Sequence, residues 1–557
     1  MRSNWCLPCG WRGPKGAGLA ALLFGMMTLS PALARANDAA LLFAQPLLAS
    51  SGSTAFDVVT DSSGNIYATG YFRGTADFDP GPGNLILSAG SLPSDAVFVW
   101  KLDPSGGLVW ARALAGTNGD TNNWGQGIAV DGAGNVYVTG HFSGTIDFDP
   151  GPGTFEMTSA GGTDIFVCKL NSSGDFVWAN RAGAVANSEG LAIAVDGAGN
   201  VHTTGFFRGA VDFDPGAGSA VLSSESGRED IFVWKLDTNG NFVWARAMTG
   251  PDFSRGRGIA VDASGSVYTV GSFQGTVDFD PGAGTFALTA PGSQIEDAFV
   301  SKLDANGNFL WALRFGGGLI DHAEAVALDP GGHVLVTGSF RLNADFEPSG
   351  STLPVLSSGG ADIFVAKISP SGSPLWVRSM GGGGNFESGL AIAADGAGSV
   401  YTTGLFQDGA DFDPGSGSFP LAGGGQMDIF VSKLSGLGEF VWAKAMVGSS
   451  SNQGRGIAVE SAGPVVIAGD FSNTVDFDPG AGSFELTSAA STAGFVVKLS
   501  QTAGDGGDPN SPFPDSPTGV PVSGDLGRIG LMISLGICAL LLFRRGQVRT
   551  SRHSSAP

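Results

Sequence analysis

Cysteine is scarce: four in 557 residues. Cys6 and Cys9 stand at the start and Cys538 near the end, so only Cys168 falls in the body. A body with one cysteine has no internal disulfide framework, and burial and backbone ladders must hold it. Cys168 occupies a slot filled in other copies by Trp100, Trp234, Ser301, Ala366 and Ser432, which marks it as a filler side chain. Histidine is equally sparse, with five copies, and G-x-S-x-G, H-E-x-x-H and the P-loop are absent. The 90 glycines follow no G-x-y period, which excludes collagen, and almost no stretch shows a helical period. Basic residues are few as well. Between residues 37 and 527 lie all 51 Asp and Glu but only 20 of the 29 Lys and Arg, a formal −31. Such a field repels nucleic acid and anionic lipid, favours cations or basic partners, and keeps an exported protein soluble.

Apolar runs long enough to suggest a membrane are confined to the ends. Arg2, Arg12 and Lys15, the run "GAGLAALLFGMMTLS" and the small-residue sites after Ala34 or Ala36 read together as a secretory signal peptide over residues 1–36. Residues 501–528 are rich in Gly, Pro, Ser and Asp and read as a disordered linker. Ile529–Phe543 carries no charge and is followed by Arg544 and Arg545. At about 1.5 Å per residue it reaches roughly 22 Å, short of a hydrocarbon core of roughly 30 Å, unless arginines snorkel. The stretch 529–545 is therefore expected to be a transmembrane or sorting segment, with residues 546–557 a basic cytoplasmic tail. "VPVSGDLGRIGLMISLGICALLLFRR" resembles the Gram-negative C-terminal sorting tails that begin Ile-Pro-Thr-Leu, although this one opens Val520-Pro521-Val522-Ser523. The resemblance implies passage across the inner membrane, then processing or surface sorting; a plain single-span anchor is the alternative.

Between these ends one word returns seven times. "DFDPGPG" begins at Asp77 and Asp147, "DFDPGAG" at Asp212, Asp278 and Asp476, "DFEPSG" at Asp345 and "DFDPGSG" at Asp411, with spacings of 65 to 70 residues. Each period holds four short apolar runs bounded by Gly, Asn, Asp and Ser turns, which read as strands A (as in "IAVD"), B ("VYVTG"), C ("FVWKL") and D ("FVWARA"). Six D strands carry a tryptophan: Trp110, Trp178, Trp244, Trp311, Trp376 and Trp442. Packing between neighbouring units suits that repeated slot better than sugar stacking does. The last copy stops after a C strand, "GFVVKL" (Gly494–Leu499), while "LLFAQPLL" (Leu41–Leu48) stands where a D strand belongs, ahead of the first A strand. The expectation is an all-β fold over residues 40–500, a seven-bladed β-propeller of four-stranded blades with the last blade closed by the N-terminal strand. "GIAVDGAGNVYVTG" (Gly127–Gly140), followed by "DIFVCKLNSSGDFVWA", resembles the bacterial SBBP β-propeller repeats, related in pattern to NHL-type propellers. That resemblance implies the fold and little about activity.

Antiparallel alternation puts the long D–A and B–C connections on one face, where varied loops on a rigid scaffold suit binding. The DFDP words belong to that face. In each, the phenylalanine is expected to point inward and Pro-Gly to force a turn that the aspartates cap. Calcium is the sharper reading, with candidate ligands Asp77, Asp79, Asp147, Asp149, Asp212, Asp214, Asp278, Asp280, Asp411, Asp413, Asp476 and Asp478. Two carboxylates per word fall short of the six to eight oxygens calcium takes. His141, His202 and His333 fill repeat slots. Only His322, beside Asp321 and Glu324 in a D–A loop, stands out as a metal or general-base candidate. No catalytic residue is assigned. The expected function is a binding or scaffolding module at the cell envelope, monomeric in its body, taking a protein or glycan partner. A polysaccharide hydrolase or lyase using acidic residues at the channel mouth, and a calcium-stabilised surface protein, are the alternatives.

Overall fold

Short turns made by one recurring device set the local structure. In the first repeat β2 (Ser53–Thr60) passes to β3 (Ile66–Arg73) through a turn where Gly64 takes φ +78° and Asp61 Oδ1 accepts the N–H groups of Ser63 and Asn65. An aspartate that binds the backbone two and four residues on, with a glycine at positive φ, is an inexpensive way to reverse a strand. The computed structural model describes residues 39–501 apart from 91–92, 117–121, 293, 347–353, 385, 408 and 461–462. The expected signal peptide, the linker beyond residue 501, the apolar segment 529–545 and the basic tail lie outside the described residues. Among the described residues no helix is long and apolar enough to cross a membrane.

The fold is all-β, antiparallel and propeller-like. After β3 the first repeat makes a small hairpin, β4 (Thr75–Asp77) with β5 (Ile86–Ser88), then β6 (Asp95–Leu102) and β7 (Leu108–Gly116). The main sheet runs β2-β3-β6-β7, in the A-B-C-D order expected. The same order recurs in the next repeat through Trp124–Val130, Val136–Phe142, Asp164–Leu170 and Phe176–Ala182. The last repeat supplies Gln453–Val459, Val465–Phe471 and Ala493–Gln501. β1 (Ala39–Leu47) lies antiparallel to that final strand, from Ala39 opposite Gln501 to Leu47 opposite Gly494. The final strand thus takes in Gln501, the first residue of the expected linker.

The tryptophans pack between repeats. Trp110 Nε1 donates to the Ser172 carbonyl of the next repeat at 3.1 Å, and Trp178, Trp244, Trp311 and Trp376 repeat the contact one unit on. Gly174, at φ +79°, lies so close that a Cβ there would stand 3.0 Å from the Trp110 ring. β1 has no tryptophan, yet Phe43 covers Gly106 in the same way, and Gln45 Nε2 donates to the Gly106 carbonyl as Arg112 Nε does to that of Gly174. β1 therefore imitates a D strand in side chains as well as in register.

The DFDP word also joins repeats. In the second copy Ile146 and Asp147 pair with Gly116 and Ala115 at the end of the preceding D strand. In the first copy Ala76 bridges Ala49, just past β1. Phe78 points inward as expected, fully buried, edge-on to Phe72 at 5.3 Å and 5.6 Å from Phe98. The same three-ring cluster recurs as Phe142, Phe148 and Phe166, and as Phe273, Phe279 and Phe299.

Candidate functional site at the shared cavity

Every A strand slips register by one residue against its B strand, at Phe56, Gln126, Leu191, Arg257, Glu324, Leu390 and Arg455. A bulge re-aims one side chain and bends the strand. Here the B-strand glycine opposite makes room for it: a Cβ on Gly140 would collide with the Trp124 carbonyl. All seven bulged residues line one cavity of about 430 Å³. The residue after the bulge is small in six copies (Gly127, Ala192, Gly258, Ala325, Ala391, Gly456) because the neighbouring A strands crowd there. A Cβ on Gly456 would stand 2.8 Å from the Val58 nitrogen. The first copy has Asp57 instead. Its carboxylate accepts the Val58 N–H at 2.8 Å and, across to the next repeat, the Ile128 N–H at 3.0 Å. Burial in the cavity wall nonetheless pushes its pKa up to about 7.

Two residues before the bulge a second slot reaches the same space, through Glu189 and Arg255. That slot holds Trp124 in the second repeat and His322 in the fifth. Phe56 lines the cavity 5.7 Å from Trp124, which stacks on Tyr71 at 5.1 Å and 17°. Charged groups adjoin the rings. Arg255 pairs with Glu229 and lies over the Phe206 ring at 4.8 Å, and Arg455 pairs with Asp470 and lies over Phe56 at 5.3 Å. Arg257 Nη1 meets Glu324 at 3.2 Å. His322 bridges Glu324 at 3.6 Å and Glu296 at 2.9 Å, above a recess of about 300 Å³. Glu296 also accepts the Ser272 hydroxyl, and His322 with these bonds holds its pKa down to about 2.

His322 is the first residue of a strand, His322–Leu328, rather than a loop residue. Of its expected partners Glu324 is present, but Asp321 turns away to the Gly317 and Arg341 N–H groups. Glu296, which completes the cluster, gave no sign in sequence because it lies 26 residues upstream on another strand. His202 sits in a strand as expected, reaching Asp196 where Tyr67 reaches Asp61 in the first repeat. His333 pairs with Asp329 in an A–B turn. His141 is buried beside Glu189 at 3.6 Å, and desolvation lowers its pKa to about 4.

The twelve candidate calcium aspartates stand in the hairpins, and none lines the cavity. Asp77 Oδ1 accepts the N–H groups of Asp79 and Leu85, and Asp79 Oδ1 that of Gly81. The arrangement repeats at Asp147 with Asp149, Asp278 with Asp280, and Asp476 with Asp478. It recurs at Asp212 with Asp214 and at Asp411 with Asp413. The aspartates therefore cap the turns. Among the described residues no group of three or more His, Cys, Asp or Glu is placed to hold a metal ion.

The buried carboxyls predict a pH effect. Burial raises Asp57, Glu189, Asp230, Asp321 and Glu387 to about 7. In the unfolded chain these groups are ionised well below pH 6, so between pH 6 and 8 they release protons only in the folded state and their contribution to stability falls as pH rises. His141 and His202, lowered to about 4, act in the opposite sense as the unfolded histidines titrate around pH 6.5, but the five carboxyls outweigh these two groups. The melting midpoint is expected to drop from pH 6 to 8, and Asp57→Asn to make that slope shallower. A flat profile in the wild type would remove the buried-proton account.

Known proteins are similar to parts of this chain. An uncharacterized WD repeat-containing protein of Acanthamoeba polyphaga mimivirus is 25% identical over 363 residues, 56% of this chain. The regulatory protein FlaEY of Caulobacter vibrioides is 31% identical over 140 residues, 25% of this chain. The chain spans only 26% and 14% of those two relatives' lengths. Among solved structures, a protein of unknown function from Bacteroides caccae covers 62% of this chain and 89% of its own, at 11% identity and a TM-score of 0.30. Sqt1 from Chaetomium thermophilum covers 84% of this chain and 100% of its own, at 10% identity and a TM-score of 0.36. Residues 109–141, from the first D strand into the second B strand, match the SBBP family model, described as a beta-propeller repeat, and that match supports the repeat family.

Proposed function

We propose that the body is a seven-bladed propeller, closed into a ring by β1, whose cavity mouth on the D–A/B–C face is a ligand-binding site. Closure is supported by the β1 pairing and by one contact that crosses from the last repeat to the first. Lys498 Nζ donates to the Pro104 carbonyl at 3.0 Å, just as Lys169 donates to Thr238 one repeat on. On this reading the protein is an exported binding or scaffolding module at the envelope, carried there by residues 1–36 and held or sorted by residues 529–545, with a protein or glycan as partner.

The observation that carries the site is a contrast between repeats. Around each bulge the framework reads small-x-small-(Ile/Val)-Ala with little change, while x is Phe, Gln, Leu, Arg, Glu, Leu and Arg in turn. Packing constrains the framework; nothing in the packing requires x to vary, and every x faces the cavity. To test this, the full chain is screened against glycans and envelope proteins beside a Phe56→Ala/Arg455→Ala variant. Its binders are expected to weaken about tenfold or more in the variant, the scale of losing a central contact. Binders indifferent to the double change would move the site elsewhere.

A further inference from the structure

Resting on that reading of the mouth, we propose that its ligand is the end of a neutral saccharide chain. Most of the charges there come already paired. Arg255 has Glu229, Arg257 has Glu324, Arg455 has Asp470, and His322 has Glu296. An anion site keeps a surplus of donors, which this wall lacks; of its two carboxyls outside these pairs, Asp57 accepts two backbone N–H groups, Glu189 lies beside buried His141, and burial raises both toward the neutral form. The wall offers donor and acceptor edges side by side. Arg257 shows this most clearly: Nη1 is engaged by Glu324, while Nε is buried without a hydrogen-bond partner. A hydroxyl accepts from a guanidinium N–H at the cavity and donates to a neighbouring carboxylate at once, and it carries no charge.

The aromatic rings supply the rest of the recognition. Phe56 is half-buried and lines the cavity, backed by the Tyr71–Trp124 stack. This aromatic group, with Arg455 over the Phe56 ring, offers apolar surface to the C–H groups of a sugar while the paired charges read its hydroxyls. The volume, about 430 Å³, lies within the usual span of small-ligand pockets, roughly 300–1,000 Å³. The strongly acidic body counts against a polyanionic chain, because the long-range field repels it before any contact forms.

The test is titration calorimetry on the full chain in mild detergent at neutral pH. The probes are cellohexaose, xylohexaose, maltohexaose and chitohexaose, with an oligogalacturonate and an acidic hexapeptide for contrast. At least one neutral hexasaccharide is expected to bind, with affinity changing less than about twofold between roughly 50 and 500 mM salt, since no net charge is neutralised. Phe56→Ala and Arg257→Met are each expected to weaken it about tenfold. Gln126→Trp, which fills the cavity without removing a core contact, is expected to block it while the melting midpoint holds. Preference for the oligogalacturonate with steep salt dependence, or for the peptide, would overturn the saccharide assignment yet leave the mouth as the site, provided Gln126→Trp blocks that binding too. A neutral saccharide bound equally by all three variants would overturn both, as would the absence of any ligand, from these probes or the wider screen, that responds to Gln126→Trp.

Discussion

Deleting residues 39–48 is expected to abolish cooperative melting and drive the protein into aggregates. Joining the same segment after Gln501 through a short Asp-Thr-Asn-Gly turn is expected to restore the wild-type melt. The deletion bares the final strand along its length and uncovers Gly106, which Phe43 otherwise shields. It also removes Leu47 and Ala44 from the core, 1% and 3% exposed. A single Leu47→Ala change is expected to cost about 2–5 kcal/mol; losing the strand adds an unpaired edge, which invites pairing with other chains. The permuted chain separates closure from chain order. There β1 follows the final C strand as every other D strand follows its own, so the same contacts form with a shorter loop to close. If circular dichroism melts show the deletion as stable as the wild type, β1 is decoration and the ring is not closed by it.

Phe279→Ala is expected to destabilise by about 3–5 kcal/mol. The ring is fully buried, edge-on to Phe273 at 5.5 Å and 5.0 Å from Phe299. Asp278→Ala is expected to cost less, about 1–3 kcal/mol, because it leaves the N–H groups of Asp280 and Phe286 without their acceptor in a partly hydrated turn. EDTA is expected to leave both midpoints and the wild-type midpoint where they were. Chemical denaturation in parallel, with and without chelator, reads all three. A chelator-dependent fall in the wild type, absent in Asp278→Ala, would mean that calcium and not turn-capping accounts for the aspartates. The ranking follows from environment. The phenylalanine sits in a dry cluster where a cavity cannot be filled, and the aspartate sits where water takes over part of its role.

Residue order alone determined the strands, their antiparallel order within a repeat, the inward phenylalanine of each DFDP word and the D-like standing of the segment after residue 39. All of these follow from local turn chemistry and a two-residue period, both written contiguously in the chain. Glu296 meeting His322, Arg257 meeting Glu324, and the gathering of seven bulged side chains into one cavity were decided by the tertiary structure. Those groups lie on strands tens to hundreds of residues apart, and a bulge inverts the expected facing of its side chain. The variation at the bulge was visible in sequence, since x changes while its neighbours hold, but its meaning was not. Phe43 and Gln45 show the same limit from the other side. Neither matches the Trp and Arg they replace, and only the glycine and carbonyl of Gly106 that they meet reveal the equivalence.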